Sequence, residues 1–424
     1  MDWRAQSCSP DRPCTFLWRT DPRAVDRSLR AYDGPVTTPQ EDSQEQRAQK
    51  LAALPMREEL RGQEPYGAPQ LTVPAMLNVN ETTYDVPAEV VDAITQQVRR
   101  AAVQLNRYPD REFTALREKL ADYLSRESSL ASALTAENMW AANGSNEIMQ
   151  HIFQAFAGPG RSVLAFPPTY SMYPLYARGT YSDYIAGDRE VDFTQSPESV
   201  AEQIRAHRPH VVILCSPNNP TGTALGLDVV DAAYEAALES DTMIVVDEAY
   251  GEFRQQGTPS ALELLPGRER LIVSRTMSKA FALAGGRLGY LAAAPEVTDA
   301  LRLVRLPYHL SAITQATAEA ALDHSAALMA NVERIKTQRD RIVSELGEMG
   351  LDPKPSDANF VFFGGLQDEK AAWQHLLDDG VLIRDVGIPR HLRVTAGTEE
   401  ETTSFLDSLR RYVAVESPRP AARG

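Results

Sequence analysis

Lys279 lies at the end of the run Ser-Arg-Thr-Met-Ser-Lys, with Thr276 and Ser278 just before it and Arg287 shortly after. The apolar residues Leu271, Ile272 and Val273 predict a short buried strand, so Lys279 stands just past a strand end. Two hydroxyls and a guanidinium are groups that hold a phosphate. A lysine beside them is either one more phosphate ligand or an amine that condenses with a carbonyl. The bland alternative is a solvated surface lysine, and Ser-x-x-Lys also fits a serine nucleophile. Other residues weigh in. A carboxylate and a phenol, Asp247 and Tyr250, follow the apolar run 243–246, and Asn219 opens the turn Asn-Pro-Thr-Gly. A mere phosphate ligand at position 279 leaves Asp247 and Tyr250 without a purpose.

Gly144, Ser145 and Asn146 precede Ile148, Ile152 and Phe156, which recur at helical spacing. Gly, Ser and Asn before a periodic run mark a helix start, and the free N–H groups of such a start bind anions; plain capping is the competing reading. Arg384 and Arg393 flank short apolar runs and suit a carboxylate or phosphate clamp as well as they suit a solvated surface. His207 and His210 flank Pro209 ahead of a buried run, so they read as loop residues, and no metal is expected.

The elements that must carry these groups alternate. Apolar runs at 162–166, 211–215, 243–246, 271–273 and 288–292 are separated by helical segments, the pattern of a mostly parallel sheet with helices on both faces. Ligands of open α/β sheets bind at the carboxyl ends of the strands, where 167–170, 216–222, 247–250 and 275–279 all fall. Helices are expected at 86–105 and 113–124, and a long helical stretch at 311–345. Short strands at 359–363, 381–383 and 392–395 then predict a smaller α+β domain. The division that follows is a disordered leader at 1–48, an N-terminal arm and helix at 49–105, a large domain at 106–306, a small domain at 307–415 and a flexible tail at 416–424.

A chain of 424 residues with 43% hydrophobic and 24% charged residues has the composition of an ordinary globular protein with a large core. A formal net charge of −15 argues against a nucleic-acid partner. The three cysteines, Cys8, Cys14 and Cys215, are too scattered for a disulfide framework or a zinc site, which predicts a cytoplasmic setting. No apolar run is long enough for a bilayer and no secretory signal is recognisable.

Together the Asn-Pro-Thr-Gly turn, Asp247 with Tyr250, and the Ser-Lys-x-Phe and Gly-x-Arg-x-Gly runs around Lys279 and Arg287 resemble the fold-type I, aspartate aminotransferase-like enzymes that use pyridoxal 5'-phosphate (PLP). The resemblance spans about 51–413. It implies a large domain around a mostly parallel seven-stranded sheet and a smaller α+β domain. It also implies Lys279 as the cofactor-linked amine and proton carrier, Asp247 on the ring nitrogen, Asn219 and Tyr250 on the 3-oxygen, and Tyr170 stacked on the ring. Ser145, Asn146, Thr276, Ser278 and Arg287 would hold the cofactor phosphate.

Within that superfamily the chain looks like the histidinol-phosphate aminotransferases, on the runs 60–62, 65–70, 105–109, 167–173, 215–222, 275–289, 306–311 and 392–398. That likeness implies L-histidinol phosphate and glutamate or 2-oxoglutarate as substrates. It also implies a homodimer with shared sites, in which Tyr108 reaches the neighbour's cofactor phosphate. Arg393 would take the substrate anions with Arg384 beside it, and Asn80 and Tyr84 would lie near the substrate. One departure stands out: the family's Asn-Glu-Asn-Pro-Tyr is Asn80-Glu81-Thr82-Thr83-Tyr84 here. Substrate choice therefore stays open toward aromatic amino acids, as does bond choice toward a phosphoamino-acid decarboxylase of the same fold. A non-catalytic regulator on this fold is the remaining alternative.

Overall fold

The computed structural model describes residues 44–63, 67, 71–128, 130 and 132–416. Most of the expected leader, with Cys8 and Cys14, part of the run 65–70 and the tail from 417 lie outside the described residues. The chain divides into two compact units, Met1–Gly67 and Ala68–Gly424. In the first, a helix spans Gln44–Ala52 and a single 3-10 turn spans Glu58–Leu60. The helix begins inside the stretch expected to be leader through residue 48. Its sequence, Gln-Glu-Gln-Arg-Ala-Gln-Lys-Leu-Ala, is made of good helix formers without an apolar stripe, so propensity alone makes it. Arg61 closes the unit by donating to the carbonyls of Ala52 and Leu54.

In the second unit the strands are, in chain order, β1 (Ala75–Met76), β2 (Met139–Ala142), β3 (Ser162–Ala165), β4 (Asp183–Ala186), β5 (Val211–Cys215), β6 (Met243–Asp247) and β7 (Leu271–Thr276). They continue with β8 (Gly289–Ala293), β9 (Asp352–Pro353), β10 (Phe360–Gly364), β11 (Val381–Leu382), β12 (Arg384–Asp385) and β13 (Leu392–Thr395). Seven of them form one sheet in the order β2-β8-β7-β6-β5-β3-β4. All its neighbours pair in parallel except those of β8, which runs against both β7 and β2. Strands β5 and β7 are buried along their whole length, and β6 all but its first residue, because helices cover both faces. Each such Val, Ile or Leu contributes about 1.5–3 kcal/mol of hydrophobic burial, which is why these runs read as continuous apolar stretches.

The smaller layer is an antiparallel sheet, β12-β13-β10-β9, with the helix Ser325–Glu348 packed on β9 and β10. The short parallel pair β1 and β11 joins the segment before Asn78 to this layer, with Ala75 opposite Val381. Expected helices at 86–105 and 113–124 are found at Ala88–Ala102 and Thr114–Glu127.

The long helical stretch expected at 311–345 is corrected: it is two helices, Ala312–Asp323 and Ser325–Glu348, broken at His324. Lys119 draws Asp323 into an ion pair at the break, and the first helix packs on Ala88–Ala102 instead of continuing the line of the second. Five strands had no counterpart among those expected: the two-residue β1, β9 and β12, and β2 and β4, which form the two edges of the large sheet. Among the described residues no helix is long and apolar enough to cross a membrane.

Candidate active site

The parallel strands end together, and the chemistry-bearing residues stand on those ends. Asp247 is the last residue of β6 and is buried. Its carboxylate accepts from the Tyr173 hydroxyl at 2.8 Å and from the Ser274 hydroxyl at 3.0 Å. Burial pushes its pKa up against those two hydrogen bonds. A cation placed against it would relieve that cost.

Lys279 lies in the turn after β7, where its Nζ donates to the Val79 carbonyl at 3.1 Å. Burial, with Arg393 and Arg287 nearby, lowers the pKa of this amine to about 8, against a pull upward from Glu81. An amine so tuned is about one-tenth unprotonated at pH 7 and half unprotonated near pH 8, far more than an ordinary lysine, and is therefore nucleophilic.

Between these two lies a polar network. The Tyr250 hydroxyl oxygen accepts from Asn80 Nδ2 at 2.9 Å and from Asn219 Nδ2 at 3.5 Å. Arg393 donates from Nη1 to Asn219 Oδ1 at 2.6 Å and from Nη2 to the Asn78 carbonyl at 2.7 Å, with its guanidinium over the Phe360 ring. Arg384 faces Arg393 across the antiparallel pair β12 and β13, which puts both guanidinium stems on one side of the small sheet.

A second cluster gathers where β7, β8 and β2 meet. Gly289 at the start of β8 lies opposite both Thr276 and Ala142, which brings the end of β7 to the start of the helix Ser145–Phe156. The approach is so close that a Cβ on Gly289 would meet the Ser145 backbone nitrogen at 2.4 Å, and one on Gly144 would meet Arg287 Nη2 at 2.3 Å. Gly144 also needs its φ of 83°. Arg287 therefore lies flat on the turn that opens the helix, with Nη1 3.5 Å from Ser278 Oγ and Thr276 Oγ1 3.0 Å from the same oxygen. A guanidinium, two hydroxyls and the free N–H groups of a helix start form a cradle for a dianion. The cradle and the reactive amine fit the phosphate and the aldehyde of PLP, which is the fit that a cofactor of this kind requires.

Tyr170, half-buried, meets Tyr173 edge to face at 5.5 Å and points its hydroxyl to Asn146 Oδ1 at 3.4 Å. Asn146 is thus spoken for by Tyr170 and by Tyr176, whose hydroxyl is 2.8 Å from the same oxygen. Two expected residues sit differently. Tyr84 lies under the Arg334 guanidinium at 3.9 Å, and Tyr108 is 79% exposed and stacked on Tyr308 at 4.4 Å. His210 takes the backbone N–H of Ser162 at 3.1 Å, and no group of three or more potential metal ligands occurs among the described residues.

Several residues of the site went unassigned on sequence. Tyr173 and Ser274 flank Asp247; the spacing of Tyr173 from Tyr170 within one turn-rich run was the available signal. Thr395 and Asn359 hold the arm at Asn80 from far along the chain and left no local signal, and Arg393 holds it at the Asn78 carbonyl. Behind the site, Arg275 is wholly buried among Glu248, Glu252 and Glu127. Burial works against its charge, but the three carboxylates prevail and push its pKa up.

A family model described as aminotransferase class I and II matches residues 74–409. The chain is 64% identical over 373 residues to the histidinol-phosphate aminotransferase of Paenarthrobacter aurescens, covering 88% of this chain and 99% of that one. It is 56% identical to the histidinol-phosphate aminotransferase of Frankia casuarinae, covering 84% and 90%. Its fold is that of the histidinol-phosphate aminotransferase of Sinorhizobium meliloti, solved in complex with pyridoxal-5'-phosphate, with a TM-score of 0.70 at 24% identity over 81% of this chain and 92% of that one. Fold, site geometry and these likenesses agree: the chain belongs to the class I and II aminotransferases and, within them, to the histidinol-phosphate aminotransferase family.

Proposed function

We propose that this protein is the PLP-dependent aminotransferase that interconverts L-histidinol phosphate and 2-oxoglutarate with imidazole-acetol phosphate and L-glutamate, a step of histidine biosynthesis. The observation that carries the reading is the Lys279 amine, lowered to about 8, on the same strand end as the phosphate cradle. The substrate comes from the likeness to relatives that bear that name.

When bound, PLP supplies an electron sink for the bond broken at the substrate's α-carbon. The protein's groups do the rest. Asp247, oriented by Tyr173 and Ser274, would hold a proton on the ring nitrogen. Tyr250 and Asn219 would hydrogen-bond the 3-oxygen, Tyr170 would cover the ring, and Ser145, Asn146, Thr276, Ser278 and Arg287 would hold the phosphate. Lys279 would hold the cofactor's aldehyde end, and its Nζ would be the base that takes and returns the proton at the substrate's α-carbon. Arg393 binds the carboxylate of glutamate in one half-reaction and the substrate anion in the other, with Arg384 beside it; Asn80 and Tyr84 belong to the arm that borders the substrate.

The same reading makes the molecule a homodimer with shared sites. In support, Val103, Leu303 and Leu306 are 82%, 87% and 76% exposed, in the segments that also present Tyr108 and Tyr308, an apolar load unusual for a free surface. Tyr108 then reaches the cofactor phosphate of the partner. A cytoplasmic setting goes with it, supported by the free thiol of Cys215.

The test follows the visible absorbance of the purified holoenzyme after separate additions of L-histidinol phosphate, L-phenylalanine and L-threonine phosphate. Rapid loss of the band with L-histidinol phosphate alone is expected. Conversion chiefly with phenylalanine replaces the substrate, carbon dioxide release from threonine phosphate replaces the reaction, and an unchanged band in Lys279→Ala removes the central role of that lysine.

A further inference from the structure

Asn80 is buried, and every polar group it carries is engaged within the chain. Its backbone N–H donates to Thr395 Oγ1 at 3.1 Å, its carbonyl accepts from Asn359 Nδ2 at 3.1 Å, its Oδ1 accepts from the Thr395 hydroxyl at 3.1 Å, and its Nδ2 donates to the Tyr250 oxygen at 2.9 Å. Its φ of 57° lies in the left-handed region, which Asn tolerates better than most residues. An arm residue fixed on four sides keeps at most the second N–H of Nδ2 for a substrate.

The direction of each bond is determined by its donors. A backbone N–H only donates, so Thr395 Oγ1 accepts from Asn80 and turns its one proton toward Asn80 Oδ1. That sets the amide: Nδ2 must face Tyr250. Asn219 is set in the same way, since the Arg393 guanidinium only donates, takes Asn219 Oδ1, and leaves Nδ2 for Tyr250. Two amides thus aim N–H groups at the same phenol oxygen. Tyr250 accepts from both and has to send its own proton elsewhere.

We infer that Asn80 and Thr395 are positioning residues that orient the proton of Tyr250 into the cleft, making that phenol an obligate donor to the 3-oxygen of the cofactor. This rests on the proposed role of Tyr250. It moves Asn80 from bordering the substrate to acting on the cofactor through Tyr250. Thr395 lies on β13 with Arg393, so one strand of the small layer sets the orientation of both amides.

A donated O–H favours the form of the cofactor in which the 3-oxygen is negative and the neighbouring proton has gone, so it lowers the pH midpoint of the visible band. Asn80→Asp keeps the shape and the tolerated φ, but its second oxygen now accepts the Tyr250 proton and withdraws it from the cleft. In the holoenzyme, spectrophotometric titration of Asn80→Asp is expected to show a midpoint raised by roughly one unit, the scale of a hydrogen bond to a charged group. Thr395→Val is expected to move the midpoint the same way by less, and Thr395→Ser, which keeps the hydroxyl, to leave it at the wild-type value.

A new carboxylate also acts by its charge, so the deciding comparison is made in a Tyr250→Phe background. There the shift caused by Asn80→Asp is expected to shrink to the part that the charge alone contributes. A shift undiminished in that background, or wild-type midpoints in both Asn80→Asp and Thr395→Val, overturns the inference. If Asn80→Asp fails to fold, Thr395→Val against Thr395→Ser decides it. Absence of a visible band in the wild-type protein would instead bring down the proposed function on which the inference stands.

Discussion

Lys279 combines two properties that pull against each other: it must be buried enough to lose its proton and reachable enough to attack. Burial and the neighbouring cations Arg393 and Arg287 lower its pKa to about 8, so the unprotonated amine is the minority below that pH and the majority above it. The rate at which apoprotein takes up PLP is therefore expected to rise about tenfold per unit on the acid side and to level off above pH 8; stopped-flow absorbance against pH measures it. Arg287→Gln removes one of those cations and is expected to move the break upward. At this scale much was legible in the sequence. Lysine, aspartate, tyrosine and asparagine types announce their chemistry wherever they stand. Tyr173 and Thr395 were not legible, because a hydroxyl gains meaning only from the group it meets, and Thr395 meets one 315 positions away.

Among the elements, the start of the helix Ser145–Phe156 is the most exacting. Gly144→Ala places a methyl group 2.3 Å from Arg287 Nη2 and forces a side chain onto a φ of 83°. Backbone strain of this kind costs about 1–3 kcal/mol, and the displaced guanidinium leaves the phosphate cradle incomplete. Equilibrium titration of the apoprotein with PLP is expected to show affinity lowered by roughly ten- to a hundredfold. Helical and buried-strand elements showed clearly in the sequence because their periods are strong: Val211–Cys215 is apolar throughout and is buried throughout. The edge strands Met139–Ala142 and Asp183–Ala186 escaped; the first, Met-Trp-Ala-Ala, has no β-branched residue to mark it. The second of them mixes Asp and Tyr with Ile and Ala, as an edge half open to water permits. The break at His324 escaped too, since two helices of similar apolar period read as one until packing decides their directions.

At the scale of the whole molecule, Tyr108, Val103, Leu303 and Leu306 are among the described residues that a single chain leaves largely exposed. If the sites are shared, Lys279→Ala and Tyr108→Ala are defects of opposite halves of one site. Co-refolding the two weakly active variants is expected to give mixed dimers with one intact site each, and so more activity than either variant alone. Independent sites would show no such gain. The domain plan of a large parallel sheet followed by a small layer was readable from the alternation of apolar runs and helices. The strand order was not, because nothing local in Gly289–Ala293 says that it enters between β2 and β7 and runs against both.

That insertion also bears on assembly. The phosphate cradle needs Gly144 from one part of the chain and Thr276 and Arg287 from another, and they come together only when Gly289 has paired with both Ala142 and Thr276. Until that strand is home there is nothing for a phosphate to hold, so the site is absent from every earlier stage of assembly. A ligand that binds the folded chain and not the unfolded one adds its binding free energy to the stability of the fold. PLP held there clasps segments from distant parts of the chain and resists their separation.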